Sequence, residues 1–170
     1  NKFVFLYGNF IRVTQEKIKI HVSNEQTCIP IHLVSVEKLV LTLLEHLKVT
    51  TNEIFIYFLE DKALAELHDK VFADPSLTDT ITLPIDAPGD PAYPHVLGEA
   101  FISPQAALRF LENTSPNQED IYEEISRYLV HSILHMLGYD DTSSEEKRKM
   151  RVKENQILCM LRKKHALLTA

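Results

Sequence analysis

The sequence predicts an α+β fold, a single domain in which helices cover a small mixed β-sheet. Strand-like and helix-like segments alternate over the first two thirds of the chain, and three helix-like segments follow them. The length of 170 residues suits one domain, and 45% hydrophobic with 25% charged residues is typical of a folded protein. Disordered, collagen-like and low-complexity classes are therefore excluded.

The sequence shows no segment for a membrane or for export. No apolar run approaches the roughly 20 residues that cross a bilayer, and the first twenty residues carry no secretory pattern, so we expect a cytoplasmic protein. Cys28 and Cys159 lie too far apart in the sequence to indicate a cysteine metal cluster. We expect two reduced, largely buried thiols.

The first elements follow from apolar periodicity. Residues 17–23 alternate apolar and polar side chains, as a half-buried strand does, and residues 3–8 form a weaker strand candidate. Ser35 is predicted to cap a helix over 36–47, whose leucines and valines recur at helical spacing. The β-branched and aromatic residues of 53–59 predict a buried strand.

Prolines and capping residues delimit the middle of the chain. The predicted elements are a helix over 62–71 capped by Asp61, a strand over 78–86 ended by Pro84, a strand over 98–103, and a helix over 104–112.

Two longer helices complete the chain. Ser115 and Gln118 fit a capping box for a helix that runs to about Leu137 and stops at Gly138. The last helix extends to about Lys163, and its cap is Thr142 with Glu145 or Ser143 with Glu146.

Two histidines near the end of the first long predicted helix are the candidate functional residues. His131 and His135 are four residues apart, so they share one helix face, and two imidazoles so placed can bind one divalent metal. Gly138 can adopt the left-handed conformation that reverses the chain. The reversal makes Asp140 and Asp141 the candidates for a third ligand.

Three sequence blocks extend this pattern. HSILHMLGYDD (131–141), LHDKVFADPSLTDTITLP (67–84) and LGEAFISP (97–104) resemble, in order and spacing, blocks of the YbeY family, the bacterial metal-dependent endoribonucleases of ribosomal RNA maturation. The resemblance implies one YbeY-like metallohydrolase domain over 1–170, with a zincin-like metal helix. It also implies one divalent ion per chain, zinc in the first place.

The departures from the family pattern affect the site directly. Asp141 stands where the family has its third histidine, so the implied ligands are His131, His135 and Asp141, with register favouring Asp141 over Asp140. A carboxylate is also a good zinc ligand, and it moves the preference toward harder ions such as manganese. Phe72 replaces an arginine that meets substrate phosphate in the family. Arg127 or the basic segment after residue 141 could supply that charge instead.

The implied activity is metal-assisted hydrolysis of single-stranded RNA, in maturation of the small-subunit ribosomal RNA 3′ end and in ribosome quality control. Ribosomal RNA and ribosomal particles are the implied partners. No general base or substrate-binding residue is identified. Glu124, Arg127 and Tyr128 lie near the pair on the helix, and a structural role is at least as good an interpretation for each.

Three alternatives stay open. A weakened family member could serve as a ribosome-associated binding module, since Asp141 and Phe72 both depart from the family. A metalloprotease is disfavoured because Ser132 occupies the position where HExxH enzymes carry their glutamate base. Both histidines could also be structural, and then metal would not change the melting temperature.

Overall fold

The computed structural model describes the backbone of residues 2–6 and 9–13 and all atoms of residues 17–170. Its elements, in chain order, are β1 (Lys2–Leu6), β2 (Asn9–Val13), β3 (Lys19–Asn24), α1 (Leu33–Leu47), β4 (Glu53–Phe58), α2 (Asp61–Phe72), β5 (Thr80–Pro84), β6 (Val96–Ile102), α3 (Pro104–Leu111), α4 (Gln118–Met136) and α5 (Ser144–Lys163).

The main sheet is mixed, as the sequence predicts, and its strand order is β3-β4-β6-β5. β3, β4 and β6 are parallel, and β5 runs antiparallel to β6 at the edge. β1 and β2 form a separate antiparallel pair. The sequence predicted β1 and missed β2; Tyr7 and Gly8, at the end of the predicted strand 3–8, lie outside the described residues.

Helices cover one face of the sheet. α4 packs on β5 and β6, α1 packs on β3, and α5 lies against α4 and α1. Ile54, Ile56 and Phe58 alternate along β4 and are fully buried in this layer, whereas the alternate residue Tyr57 stacks on Phe101 across the other face. The α+β class is therefore confirmed.

Glycine at position 98 sets how closely α4 approaches the sheet. A Cβ atom at Gly98 would lie 2.7 Å from the backbone oxygen of Leu83 and 3.1 Å from Cγ of Met136. Because Met136 follows His135 directly, this close approach fixes the height of the histidine-bearing end of α4 above β5 and β6.

Three predicted helix caps are wrong. α1 begins at Leu33 with His32 as its N-cap, because the Ser35 hydroxyl turns back and donates to the His32 carbonyl. Asn117 caps α4 in a box with Asp120, and Ser115 lies outside the helix in a left-handed conformation. Asp61 is the first residue of α2 rather than its cap.

Of two further predictions of detail, one is confirmed and one is wrong. Ser143 and Glu146 form the capping box of α5, which confirms one of the two predicted pairs. Cys28 and Cys159 are free but exposed, so the prediction of buried thiols is wrong. Cys28 lies in the β3–α1 connection, and Cys159 lies on the outward side of α5. No helix among the described residues is long and apolar enough to cross a membrane.

Candidate metal centre

His131 and His135 lie in the last two turns of α4, whose opposite side is anchored by the fully buried residues Leu129 and Ile133. The helix ends as predicted at Gly138, which has φ +89°. The Gly138 and Tyr139 amides donate to the carbonyls of the preceding turn and close the helix. The reversed chain then carries Asp141 back to the histidines.

The three side chains predicted as ligands meet at one point. Their nearest ligand atoms all lie within 4.8 Å of one another. The two Nε2 atoms are 3.0 Å apart, and the Asp141 carboxylate oxygens lie 3.7 Å from Nε2 of His131 and 3.6 Å from Nε2 of His135. All three side chains are partly exposed, so the cluster is both held in place and accessible.

The hydrogen bonds at the other ring nitrogens show what this arrangement can hold. Nδ1 of His131 lies 2.8 Å from the Glu154 carboxylate, and Nδ1 of His135 lies 2.9 Å from the Tyr139 carbonyl oxygen. Both partners are acceptors, so each Nδ1 carries the proton and both Nε2 lone pairs face each other. A cation, either a proton or a metal ion, satisfies that geometry.

The spacing agrees with a tetrahedral ion. Ligand atoms at about 2.0–2.1 Å from zinc lie about 3.3 Å apart at the tetrahedral angle. The two Nε2 atoms are 3.0 Å apart, and each lies 3.6–3.7 Å from its nearer Asp141 oxygen, Oδ2 for His131 and Oδ1 for His135, so small side-chain adjustments bring three ligand atoms to that spacing. Two imidazoles and one carboxylate are also a donor set that divalent zinc accepts, so the residues fit the metal.

Glu154 is the residue that sequence reasoning missed. It comes from α5, it is only 4% exposed, and besides His131 it contacts Arg127 and Arg151, each at 3.2 Å. The signal was present in the sequence, because Glu154 interrupts an apolar stripe that continues at Ile157, Leu158 and Leu161. A carboxylate in a buried stripe indicates a buried partner.

This buried network shifts two pKa values. Burial by itself raises the pKa of Glu154, but the hydrogen bond and charge of His131, with Arg151 and Arg127, hold that pKa below its ordinary value. Burial by itself lowers the pKa of His131, but Glu154, Asp141 and Asp79 together raise that pKa above its ordinary value. Glu154 is therefore ionised and orients His131.

The other candidates on α4 lie beside the cluster without joining it. Arg127 is bound by Glu124 at 3.4 Å, by Glu154 and by Asn155 at 2.7 Å. Burial raises the pKa of Glu124, against the opposing charge of Arg127, and burial also raises the pKa of Tyr128. All three side chains on α4 are thus held by their surroundings.

Asp140, the alternative third ligand, has a different task. Its Oδ1 accepts hydrogen bonds from the amides of Asp141 at 2.7 Å and Thr142 at 3.2 Å. The side chain is exposed and shapes the loop. Of the two aspartates, the structure brings Asp141 to the histidines.

Two clefts meet at the cluster, and Asp79, His131 and Asp141 line both. We call the larger, about 470 Å³, the β5-side cleft; its further lining residues include His68, Phe72, Thr78 and Thr82. The smaller, about 250 Å³, is the α5-side cleft; its further lining residues are Phe110, Glu124, Arg127, Tyr128, Arg151 and Glu154.

Comparison with known proteins gives a consistent result. The family profile described as Endoribonuclease YbeY matches residues 20–162. A Chlamydia pneumoniae protein named endoribonuclease YbeY is 99% identical over 158 residues, which are 93% of this chain and 100% of that protein. One of the same name from Chlamydia felis is 66% identical over 152 residues, 89% of this chain and 96% of the relative.

A solved structure supports the fold independently. The solution structure of a Thermotoga maritima protein superposes with a TM-score of 0.55 at 18% identity, and covers 87% of this chain and 95% of its own.

Proposed function

Because the chain belongs to the YbeY family of endoribonucleases, we propose that His131, His135 and Asp141 hold the divalent ion of its active site. Family membership makes the protein a hydrolase that cleaves phosphodiester bonds in RNA, with a role in ribosomal RNA maturation. We further propose that one metallohydrolase domain spanning the 170 residues carries the activity.

One observation carries the proposal for the ion. Two Nε2 atoms face each other at 3.0 Å while both Nδ1 atoms are engaged by acceptors, and a carboxylate lies beside them. Such a pair without a cation between its lone pairs is repulsive. Packing of the two side chains does not by itself require this arrangement, whereas binding of a cation does.

The ion when bound supplies Lewis acidity and lowers the pKa of water at its open position. The remaining steps belong to the protein. Glu154 fixes the His131 tautomer, and Arg127 and Arg151 keep Glu154 ionised in a buried position. The Tyr139 carbonyl performs the same task for His135.

A cation for the substrate phosphate comes from α5. Arg127, one sequence candidate, is 16% exposed and already bound by three acceptors, whereas the Arg151 side chain is 57% exposed in the same cleft. Phe72 replaces the family's arginine, so one positive charge is lost at that position. Arg151, in the basic segment, therefore supplies a positive charge in its place. Arg151→Gln is expected to raise KM and to lower the salt dependence of RNA binding by about one phosphate contact.

Zinc is the proposed ion, with manganese as the competitor that the Asp141 carboxylate favours. The proposed substrate is single-stranded ribosomal RNA at the 3′ end of the small-subunit species, within ribosomal particles in the cytoplasm. A metalloprotease is disfavoured further because Ser132, at the position of the protease base, is completely buried.

The test compares metal content with RNA cleavage. Elemental analysis and zinc titration are made on wild type, His131→Ala, Asp141→Ala and the control His46→Ala, which removes an exposed histidine from α1. Wild type and control bind one ion per chain and cleave single-stranded RNA, and the two ligand variants lose both properties. If the wild type binds ribosomal particles but binds no metal and cleaves no RNA, the binding module is supported instead.

A further inference from the structure

An aromatic side chain stands at the outer end of each cleft. Phe72, the last residue of α2, lines the β5-side cleft and is 56% exposed. Phe110, on α3, lines the α5-side cleft and is 62% exposed. Single exposed apolar side chains are common, but these two rings line the clefts that meet at the histidine pair, where a ligand of the site can cover them.

Phe72 has a neighbour that steadies its ring. The rings of His68 and Phe72 contact each other with centroids 5.2 Å apart, tilted by 54°. Both residues are on α2, four positions apart, so the contact holds Phe72 on the side of the helix that faces the cleft. A ring held this way loses little freedom when a flat ligand stacks on it.

The charges around the β5-side cleft do not favour simple electrostatic binding of a polyanion there. Among the described residues that line the β5-side cleft, none is lysine or arginine, and Asp79 and Asp141 are acidic. On the other side, Glu124 and Glu154 offset the two arginines. A nucleic acid that crosses this site therefore needs contacts other than phosphate pairing on the β5 side.

We infer that Phe72 and Phe110 are base-stacking platforms that hold unpaired nucleotides of single-stranded RNA on either side of the metal centre. Every nucleobase presents an apolar π-face, and exposed phenylalanine rings bind such faces without sequence preference. Paired bases are already stacked on their neighbours, so the two rings also select single strands over duplexes. The inference rests on the proposed function, since it places the strand across the proposed metal site.

The test uses full-length, zinc-loaded protein and a short single-stranded RNA carrying the fluorescent base 2-aminopurine. Stopped-flow mixing records the quenching that stacking produces before cleavage, and steady-state assays give KM and kcat. Phe72→Leu and Phe110→Leu keep an apolar side chain but remove the aromatic ring. Phe72→Trp replaces the ring of Phe72 with another aromatic ring. Tyr93→Leu is the matched control, because Tyr93 is an exposed aromatic that lines a different cleft.

Each leucine variant is expected to lose much of the quenching and to raise KM about fivefold or more, with kcat unchanged. An RNA with abasic nucleotides should raise the wild-type KM similarly and add little to the defect of the variants. Phe72→Trp and Tyr93→Leu should behave like the wild type. Melting temperatures of the variants should match, because both rings lie at the surface.

Leucine variants with wild-type quenching and KM would overturn the stacking role. That outcome leaves the proposed function standing if the wild type cleaves RNA. Conversely, if the wild type shows the quenching but cleaves no RNA, the stacking platforms are supported and the proposed function is wrong.

Discussion

The two sides of the histidine pair differ in how their polar groups are satisfied. On the α5 side, Glu154 binds His131 and two arginines, so its buried charge is compensated. On the β5 side, His68 Nδ1 and Thr82 Oγ1 are buried without a hydrogen-bond partner among the described residues. The comparison indicates that the α5 side organises the ligands through compensated charges, whereas on the β5 side two residues that line the cleft each keep an unsatisfied polar atom shielded from solvent.

The largest expected effect on stability and on zinc affinity comes from substitutions of Glu154, on the α5 side. Glu154→Ala leaves Arg127 buried with fewer partners and removes the acceptor of His131, so the free energy of unfolding should fall by about 3–5 kcal/mol. Glu154→Gln keeps the shape and should cost less stability. It should still weaken zinc binding about 10–100-fold, because the ionised partner of His131 is lost. Urea unfolding and zinc titration measure the two effects, and unchanged zinc affinity in Glu154→Gln would contradict the orienting role.

The next effect tests how the sheet supports both sides. Gly98→Ala places a methyl group 2.7 Å from the Leu83 oxygen and against Met136, so we expect a loss of about 1–3 kcal/mol. Zinc affinity should fall as well, because the end of α4 is displaced. Gly89→Ala is the control, because a methyl group at Gly89 would meet no other atom within 4 Å, although the positive φ there adds some strain of its own. Thermal unfolding with and without zinc separates the two consequences.

The third effect is a pH dependence with a defined sign. In the metal-free chain the pKa of His131 is raised, so its stabilising contribution is complete below the unfolded pKa of about 6.5 and is lost as pH rises through the folded pKa. Zinc competes with that proton. The stabilisation by zinc should therefore grow with rising pH, by about 1.4 kcal/mol per unit for each proton displaced.

Melting temperatures measured with zinc and with EDTA across that pH range provide the check. The two curves should converge at low pH and separate as pH rises. A zinc shift that is constant with pH would argue against histidine ligation.

The smallest effect on stability lies on the β5 side. Thr82→Val removes a buried hydroxyl that has no partner among the described residues, so stability should change by less than about 0.5 kcal/mol. Because this hydroxyl is shielded from the cleft, kcat/KM should change little. Thr78→Val in the same cleft removes a hydroxyl that donates to the Thr80 carbonyl at 3.1 Å, and should cost about 1 kcal/mol. A clear fall in kcat/KM of Thr82→Val would contradict this expectation and would show that the hydroxyl turns toward the substrate when RNA binds.

The sequence by itself determined the local part of the site. His131 and His135 share a face because the helix repeats about every 3.6 residues, and Gly138 reverses the chain because it tolerates a positive φ. From β3 onward, the order of strands and helices followed from apolar periodicity in the same way. These features depend on neighbours within a few residues, so one sequence is enough to predict them.

Only the tertiary structure decided the rest. Glu154 reaches His131 from 23 residues further along the chain, because α5 packs on α4. The caps at His32 and Asn117 were missed because several polar residues compete near each helix start, and the surrounding contacts select one. Phe72 and Phe110 come to opposite sides of one site because α2 and α3 flank β5 and α4. Packing between distant elements sets such positions, and no local spacing encodes it.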